Sequence, residues 1–341
     1  MKKISPFYLK MWKGKVKCLV CGRGCVVSEG EKGYCKTRIN EGGQLYTLIY
    51  GEVSTIHLSP IEIKPLYHFF PGTYFLSLGS LGCNFLCPGC QNWSIAHRDA
   101  ERGINKGETR YFSPQEVVDI ALKKGGRGIS FTYNEPTLWV EYTMDVFKMA
   151  KEKGLATNYV TNGYITNEVL EIIAPYLDSF RVDIKGFSEE TYYRLAKIKN
   201  FQLILENCIL AKRKFHIHVE IVTNLIPGFN DKEEEISALA SWIVEKLGKD
   251  TPWHVTRFFP HLYLSHLPPT PLSTLLRAIE IGKSAGLQFV YLGNVPGSSL
   301  QNTYCPECGE LLLERNNFTL IKNRLKNKSC PNCGREIPVI I

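Results

Sequence analysis

Eleven of the chain's twelve cysteines fall into three tight groups, and this clustering constrains the fold more than any other feature of the sequence. The groups are Cys18/Cys21/Cys25/Cys35, Cys83/Cys87/Cys90 and Cys305/Cys308/Cys330/Cys333. Thiols at such spacing in a reducing compartment mark metal ligation or thiol chemistry rather than disulfides. Each group must be presented by local turns, so the chain is expected to carry cysteine-rich modules at both ends of a larger core. Cys208 stands alone in the apolar run 203–210 and reads as a small buried core residue.

The 341 residues, 44% of them hydrophobic, suffice for a large α/β domain with small appendages. No apolar run approaches the roughly 18 residues of a membrane span, and no secretory apolar region follows the N-terminus. The expectation is a cytoplasmic chain with no membrane partner. The formal charge of +8 sits almost entirely in residues 1–40, which hold ten Lys/Arg against two Asp/Glu. A Zn(Cys)4 site carries about −2 and a three-cysteine 4Fe–4S cluster about −1, so thiolates offset much of that excess. Nucleic-acid binding therefore stays open without being implied.

From about residue 74 short β-rich runs alternate with segments of helical period, the pattern of βαβ units and a parallel sheet. Strands are expected at 74–79, 128–133, 155–160, 179–184, 216–223, 253–258 and 288–292. Ser113-Pro114-Gln115-Glu116 is a capping box with proline at the first helical position. A further helix is expected over about 138–153, ending at Gly154. Six or seven such units predict a partial barrel of the (β/α)6 type over 74–299. It is flanked by a cysteine-rich module, 1–73, and a small C-terminal module, 300–341.

Cys83-x3-Cys87-x2-Cys90 follows the first core strand and a glycine-containing turn. A cubane cluster has four irons, so three protein thiolates leave one open to a chelating ligand. The spacing alone also admits a zinc site completed by a distant residue, or unligated thiols. Other polar motifs close the predicted strands: Asn134-Glu135-Pro136, Thr161-Asn162-Gly163, Asp183-Ile184-Lys185, Asn224 with Ile226-Pro227-Gly228, Arg257, and Gly293-Asn294. Singly each reads as a turn or cap; together they occupy the active-site end of a parallel barrel.

The C-x3-C-x2-C motif placed after such a strand resembles the radical S-adenosylmethionine (SAM) superfamily. The resemblance implies a 4Fe–4S cluster on Cys83, Cys87 and Cys90 whose open iron is chelated by SAM. One-electron reduction, from a donor such as ferredoxin or flavodoxin, then yields a 5′-deoxyadenosyl radical that abstracts hydrogen from a substrate. One departure is Gly89, where the family commonly carries an aromatic residue against the adenine. The strand-end motifs are similar to those of the activating enzymes that install glycyl radicals. That similarity assigns Asn134 and Glu135 to SAM's amino group, Lys185 and Asp183 to its carboxylate, and Asn162, Asn224 and Asn294 to the rest of the molecule. Cys18-Leu19-Val20-Cys21, Ile61-Glu62-Ile63-Lys64-Pro65-Leu66-Tyr67-His68-Phe69, Cys90-Gln91-Asn92-Trp93 and Thr132-Tyr133-Asn134-Glu135-Pro136 further resemble the radical SAM enzyme of the AmmeMemoRadiSam system. This implies Memo-like and AMMECR-like partners without naming a substrate.

The two C-P-x-C-G knuckles at Cys305/Cys308 and Cys330/Cys333 suit a structural Zn(Cys)4 ribbon, with rubredoxin-type iron as the chemical alternative. The N-terminal four cysteines would close a zinc site or an auxiliary 4Fe–4S cluster; spacing does not separate them, and zinc is the preferred reading. The expected function is hydrogen abstraction from a substrate that is a partner protein's glycyl residue, an RNA or a small molecule. A non-catalytic, metal-stabilised nucleic-acid-binding protein is the rival of a different class.

Overall fold

A computed structural model describes residues 2–341. Its core is an eight-stranded sheet built in chain order from β1 (Thr55–Pro60), β2 (Tyr74–Gly79), β3 (Gly128–Tyr133), β4 (Ala156–Thr161), β5 (Ser179–Asp183), β6 (His218–Leu225), β7 (Trp253–Arg257) and β8 (Val290–Gly293). Strands β2 to β8 are parallel, each beside the next, and β1 runs antiparallel to β2 at one edge. The crossovers are α1 (Pro114–Lys123), α2 (Val140–Glu152), α3 (Asn167–Ile173), the pair α4 (Glu189–Ala196) and α5 (Gln202–Ile209), α6 (Glu233–Trp242) and α7 (Leu272–Ser284). Burial on both faces explains why β3 and β6 read as almost continuous buried runs. The capping box of α1 forms as expected: Glu116 N donates to Ser113 Oγ and Ser113 N to Glu116 Oε2, while Val117, Val118 and Ala121 face the core. This is the expected partial barrel, with all seven expected strands present as β2 to β8. Its sixth strand starts at His218 rather than 216 because His216 adopts φ 55° after the turn that ends α5. Helix α2 starts at Val140, since Pro136–Trp139 forms a 3-10 turn. Cys208 is fully buried, as expected.

Strand β1 and residues 61–70 link the ends of the chain to the lumen. Tyr67 N and His68 N donate to Glu220 of β6 (3.0 and 2.8 Å), so this segment crosses the barrel floor. The Tyr67 ring packs edge-on against His254 of β7 and Tyr291 of β8 (centroids 4.7 and 4.9 Å). Glu220 also accepts from His218 and His254, which holds its carboxylate well below the usual range despite complete burial. The C-terminal module is a small antiparallel sheet of β9 (Thr303–Tyr304), β10 (Leu311–Asn316) and β11 (Thr319–Asn323). It shares one apolar cluster with the barrel: Leu312, Leu313, Ile337 and Val339 pack with Tyr67, Phe289 and Tyr291. Buried Arg315 donates to Tyr67 O (2.8 Å), and Ile340 exchanges backbone bonds with His68 and Phe70 (2.7 Å each). Among the described residues, no helix is long and apolar enough to cross a membrane.

Candidate active site

Seven parallel strands aim their C-terminal ends at one face, where the loops that follow them meet. The loop after β2 carries the three cysteines. It is pinned at Ser80 and Gly82, whose carbonyls accept from Asn134 Nδ2 at the end of β3 (3.1 and 3.3 Å). Gly82 has φ 80°, and a Cβ there would stand 2.8 Å from Cys35 O, so only glycine lets the N-terminal module approach this closely. Cys83 is buried and Phe85 N donates to its sulfur (3.3 Å); Cys87 and Cys90 are half-buried. Burial pushes the Cys90 thiol up to about 11, so at neutral pH its thiolate would form on binding a metal.

Below this loop a cavity of about 820 Å³ occupies the barrel mouth. Cys87, Cys90, Asn134, Asp183, Lys185, Asn224 and Asn294 line it together, although they come from the ends of five separate strands, β2, β3, β5, β6 and β8. Asn134 Oδ1 is buried there without a hydrogen-bond partner, an acceptor left for a donor from outside the chain. Burial opposes the charge on Lys185, but Asp183 and the neighbouring Cys87 raise its pKa. Burial likewise favours neutral Asp183, but Arg181 (2.7 Å) and Lys185 (3.6 Å) keep it below the usual carboxylate range. Asn224 Nδ2 donates to Thr256, and Asn294, at φ 58°, donates to Arg257 O (3.0 Å).

Two residues expected to contact the ligand do not line this cavity. Glu135 lies outside the cavity lining, and its carboxylate accepts from Thr161 Oγ1 (2.6 Å), Asn162 N (2.7 Å) and Thr137 N (3.0 Å). Its charge is absorbed in joining β3 to β4. Asn162 is also behind the wall: Nδ2 donates to Asn84 Oδ1 (2.7 Å) and Oδ1 accepts from Tyr164 N. It orients the cysteine loop. Sequence reasoning missed Phe258 and Lys64. Phe258 fills the space beside Gly89, with Cε2 3.1 Å from where a Cβ would stand. A lone phenylalanine after β7 gives no signal for this. Lys64, 4% exposed, enters the cavity from the floor segment and donates to Ser59 Oγ (3.0 Å) and Ser77 Oγ (2.5 Å). Burial, aided by Arg181, pushes its pKa down to about 7.

At the C-terminal knuckles, the sulfurs of Cys305, Cys308, Cys330 and Cys333 lie within 4.8 Å of one another, with Cys305–Cys333 at 3.5 Å and Cys308–Cys330 at 3.7 Å. Metal–sulfur bonds of about 2.3 Å in a tetrahedron set sulfurs about 3.8 Å apart, so this set fits one metal ion. The N-terminal four cysteines line a separate small cavity with Arg38 and Asn84.

Residues 78–240, which include the cysteine loop and β3 to β6, match the model of the radical SAM superfamily. The chain is 39% identical over 339 residues to an uncharacterized protein of Methanocaldococcus jannaschii, covering 99% of both chains. It is 25% identical over 241 residues to the choline trimethylamine-lyase activating enzyme of Oleidesulfovibrio alaskensis, covering 67% of this chain and 73% of that one. Among solved structures, a radical SAM methyltransferase from Sphaerobacter thermophilus superposes with a TM-score of 0.49 at 15% identity over 70% of each chain. A three-cysteine loop over the mouth of a parallel barrel, inside the matched segment, is the arrangement expected of that family: the chain belongs to the radical SAM superfamily and is an enzyme with relatives among the glycyl-radical activating enzymes.

Proposed function

We propose that Cys83, Cys87 and Cys90 hold a 4Fe–4S cluster, and that SAM binds in the cavity beneath it with its methionine end toward Asn134 and Lys185. The observation that carries this reading is the unpartnered Asn134 Oδ1, buried in the wall that also presents Cys87 and Cys90. Its free acceptor suits the ammonium of SAM, and the Lys185 ammonium, held charged by Asp183, suits the carboxylate. A cluster held by these three cysteines would supply the electron for reductive cleavage of SAM. The protein's own residues then orient and exclude. Phe258 covers the face left open by Gly89 and takes the adenine contact. Asn224 and Asn294 edge the same wall and offer hydrogen bonds to the nucleoside. Glu135 and Asn162 act as positioning residues, fixing the cysteine loop through Asn84. Lys64, Tyr133 and Arg181 line the deeper part of the lumen and face the substrate, whose reacting hydrogen must lie between them and the nucleoside.

The four C-terminal cysteines are proposed to bind a structural zinc ion, supported by their sulfur spacing. The resemblance of the floor segment Ile61 to Phe69 and of Thr132 to Pro136 to the radical SAM enzyme of the AmmeMemoRadiSam system is what supports placing the chain in that system. Memo-like and AMMECR-like proteins would then be its partners, a low-potential ferredoxin or flavodoxin its electron donor, and the cytoplasm its compartment.

The test is anaerobic reconstitution followed by reduction in the presence of SAM. The wild type should form 5′-deoxyadenosine and show a SAM-responsive cluster signal by electron paramagnetic resonance. The triple variant Cys83→Ala, Cys87→Ala, Cys90→Ala should do neither, and 5′-deoxyadenosine formation by that variant would sink the assignment.

A further inference from the structure

We propose that Cys18, Cys21, Cys25 and Cys35 hold a second iron–sulfur cluster rather than zinc, set against the Cys83 loop as a one-electron centre. The zinc reading suits the C-terminal knuckles and fails here on two counts.

First, among the described residues only the C-terminal cysteine set has its ligand atoms all within 4.8 Å of one another. The N-terminal sulfurs are spread wider than a single tetrahedral ion draws them. All four N-terminal cysteines nonetheless line one cavity. Second, a buried donor on that cavity has no partner. Arg38 is 1% exposed, and its Nε makes no hydrogen bond. The rest of the side chain is satisfied, for Arg38 grips Glu141 (2.6 and 2.8 Å). A buried N–H left over in so complete a network calls for an acceptor that the chain does not supply. The inorganic sulfides of a cluster are such acceptors, and hydrogen bonds to cluster sulfur are one means by which proteins tune these centres.

The position also has a consequence. Asn84, which lines the N-terminal cavity, is bonded directly to Cys83. Arg23 of the same module donates to Asn84 O (2.8 Å), and Cys35 O abuts Gly82. The two cysteine groups thus share a wall one residue thick. An electron from a low-potential ferredoxin- or flavodoxin-class donor would enter the second cluster and leave toward Cys83. No bond forms or breaks, and no proton moves. This electron-transfer role rests on the radical SAM reading, but the identity of the metal does not.

The decisive measurement is iron, sulfide and zinc per chain of anaerobically purified and reconstituted full-length wild type. The expected result is about eight iron, about eight sulfide and about one zinc. About four iron with about two zinc, and loss of all that iron in the Cys83→Ala, Cys87→Ala, Cys90→Ala variant, would overturn the proposal. If instead the iron is about four and that variant keeps it, the N-terminal cluster stands and the radical SAM site assignment fails. In the Cys21→Ser, Cys25→Ser variant iron should fall by half with zinc unchanged. Retention of all the iron by a variant of wild-type circular dichroism would also overturn it.

Discussion

Lys64 is the residue whose replacement should separate stability from function most sharply. Its ammonium is buried, has no carboxylate partner and meets two serine hydroxyls and, at 5.8 Å, the face of the Tyr133 ring, with Arg181 adding repulsion. Its pKa is lowered from 10.5 to about 7, so the folded chain binds fewer protons than the unfolded one between those values. Stability must therefore rise with pH across that window, and the full penalty is present below pH 7. A shift of about 3.5 units at about 1.36 kcal/mol each gives a cost of about 5 kcal/mol for the charged form, and about 4 kcal/mol at pH 7. Lys64→Met removes this cost and gives up two hydrogen bonds of about 1 kcal/mol each, partly offset because Ser59 and Ser77 already bond each other (2.8 Å). The net expectation is a gain of about 2–3 kcal/mol at pH 6.5, a rise of several degrees in apparent Tm for a chain of this size. The gap should close as pH approaches 10. Thermal unfolding of wild type and variant, at equal metal loading and at pH 6.5, 8 and 9.5, reads this directly. A variant less stable than wild type at pH 6.5, or a gap that ignores pH, would refute the reasoning. So costly a group would be retained for the substrate that the lumen receives, and uncoupled SAM cleavage by the variant should persist.

Two further expectations follow from the packing. Phe258→Ala should weaken SAM binding about tenfold by calorimetry, a loss of about 1–1.5 kcal/mol for one aromatic contact, with iron content unchanged; an unaltered affinity would show that another side chain covers the adenine. Cys305→Ala should remove one zinc and loosen the tail that pairs Ile340 with His68 and Phe70, seen as faster proteolysis of residues 300–341. Because Arg315 and Leu313 of that module also brace Tyr67, its apparent Tm should fall as well, and an unchanged Tm would count against the shared core.

Much of the architecture was legible in the residues because it rests on local rules. Alternating strand and helix periods gave the parallel core, the Ser113–Glu116 box gave the start of α1, and cysteine spacing marked the three groups proposed to hold metal. Strand-end motifs were found together at the cavity because parallel strands present their C-terminal ends on one face. What spacing could not reveal is the direction in which a side chain points once loops from distant parts of the chain meet. Glu135 and Asn162 carry the right chemistry at the right strand ends, yet in the fold they bond to Thr161, Thr137 and Asn84 and lie off the cavity lining. Phe258 and Lys64 lie 168 and 26 residues from Cys90 and reach the cavity only because β7 and the floor segment converge there. The choice between zinc and a cluster at Cys18/Cys21/Cys25/Cys35 is of the same kind. Sequence determines that four sulfurs are near one another; tertiary packing decides how far apart they are held and which buried donors face them, since those distances are set by contacts far along the chain.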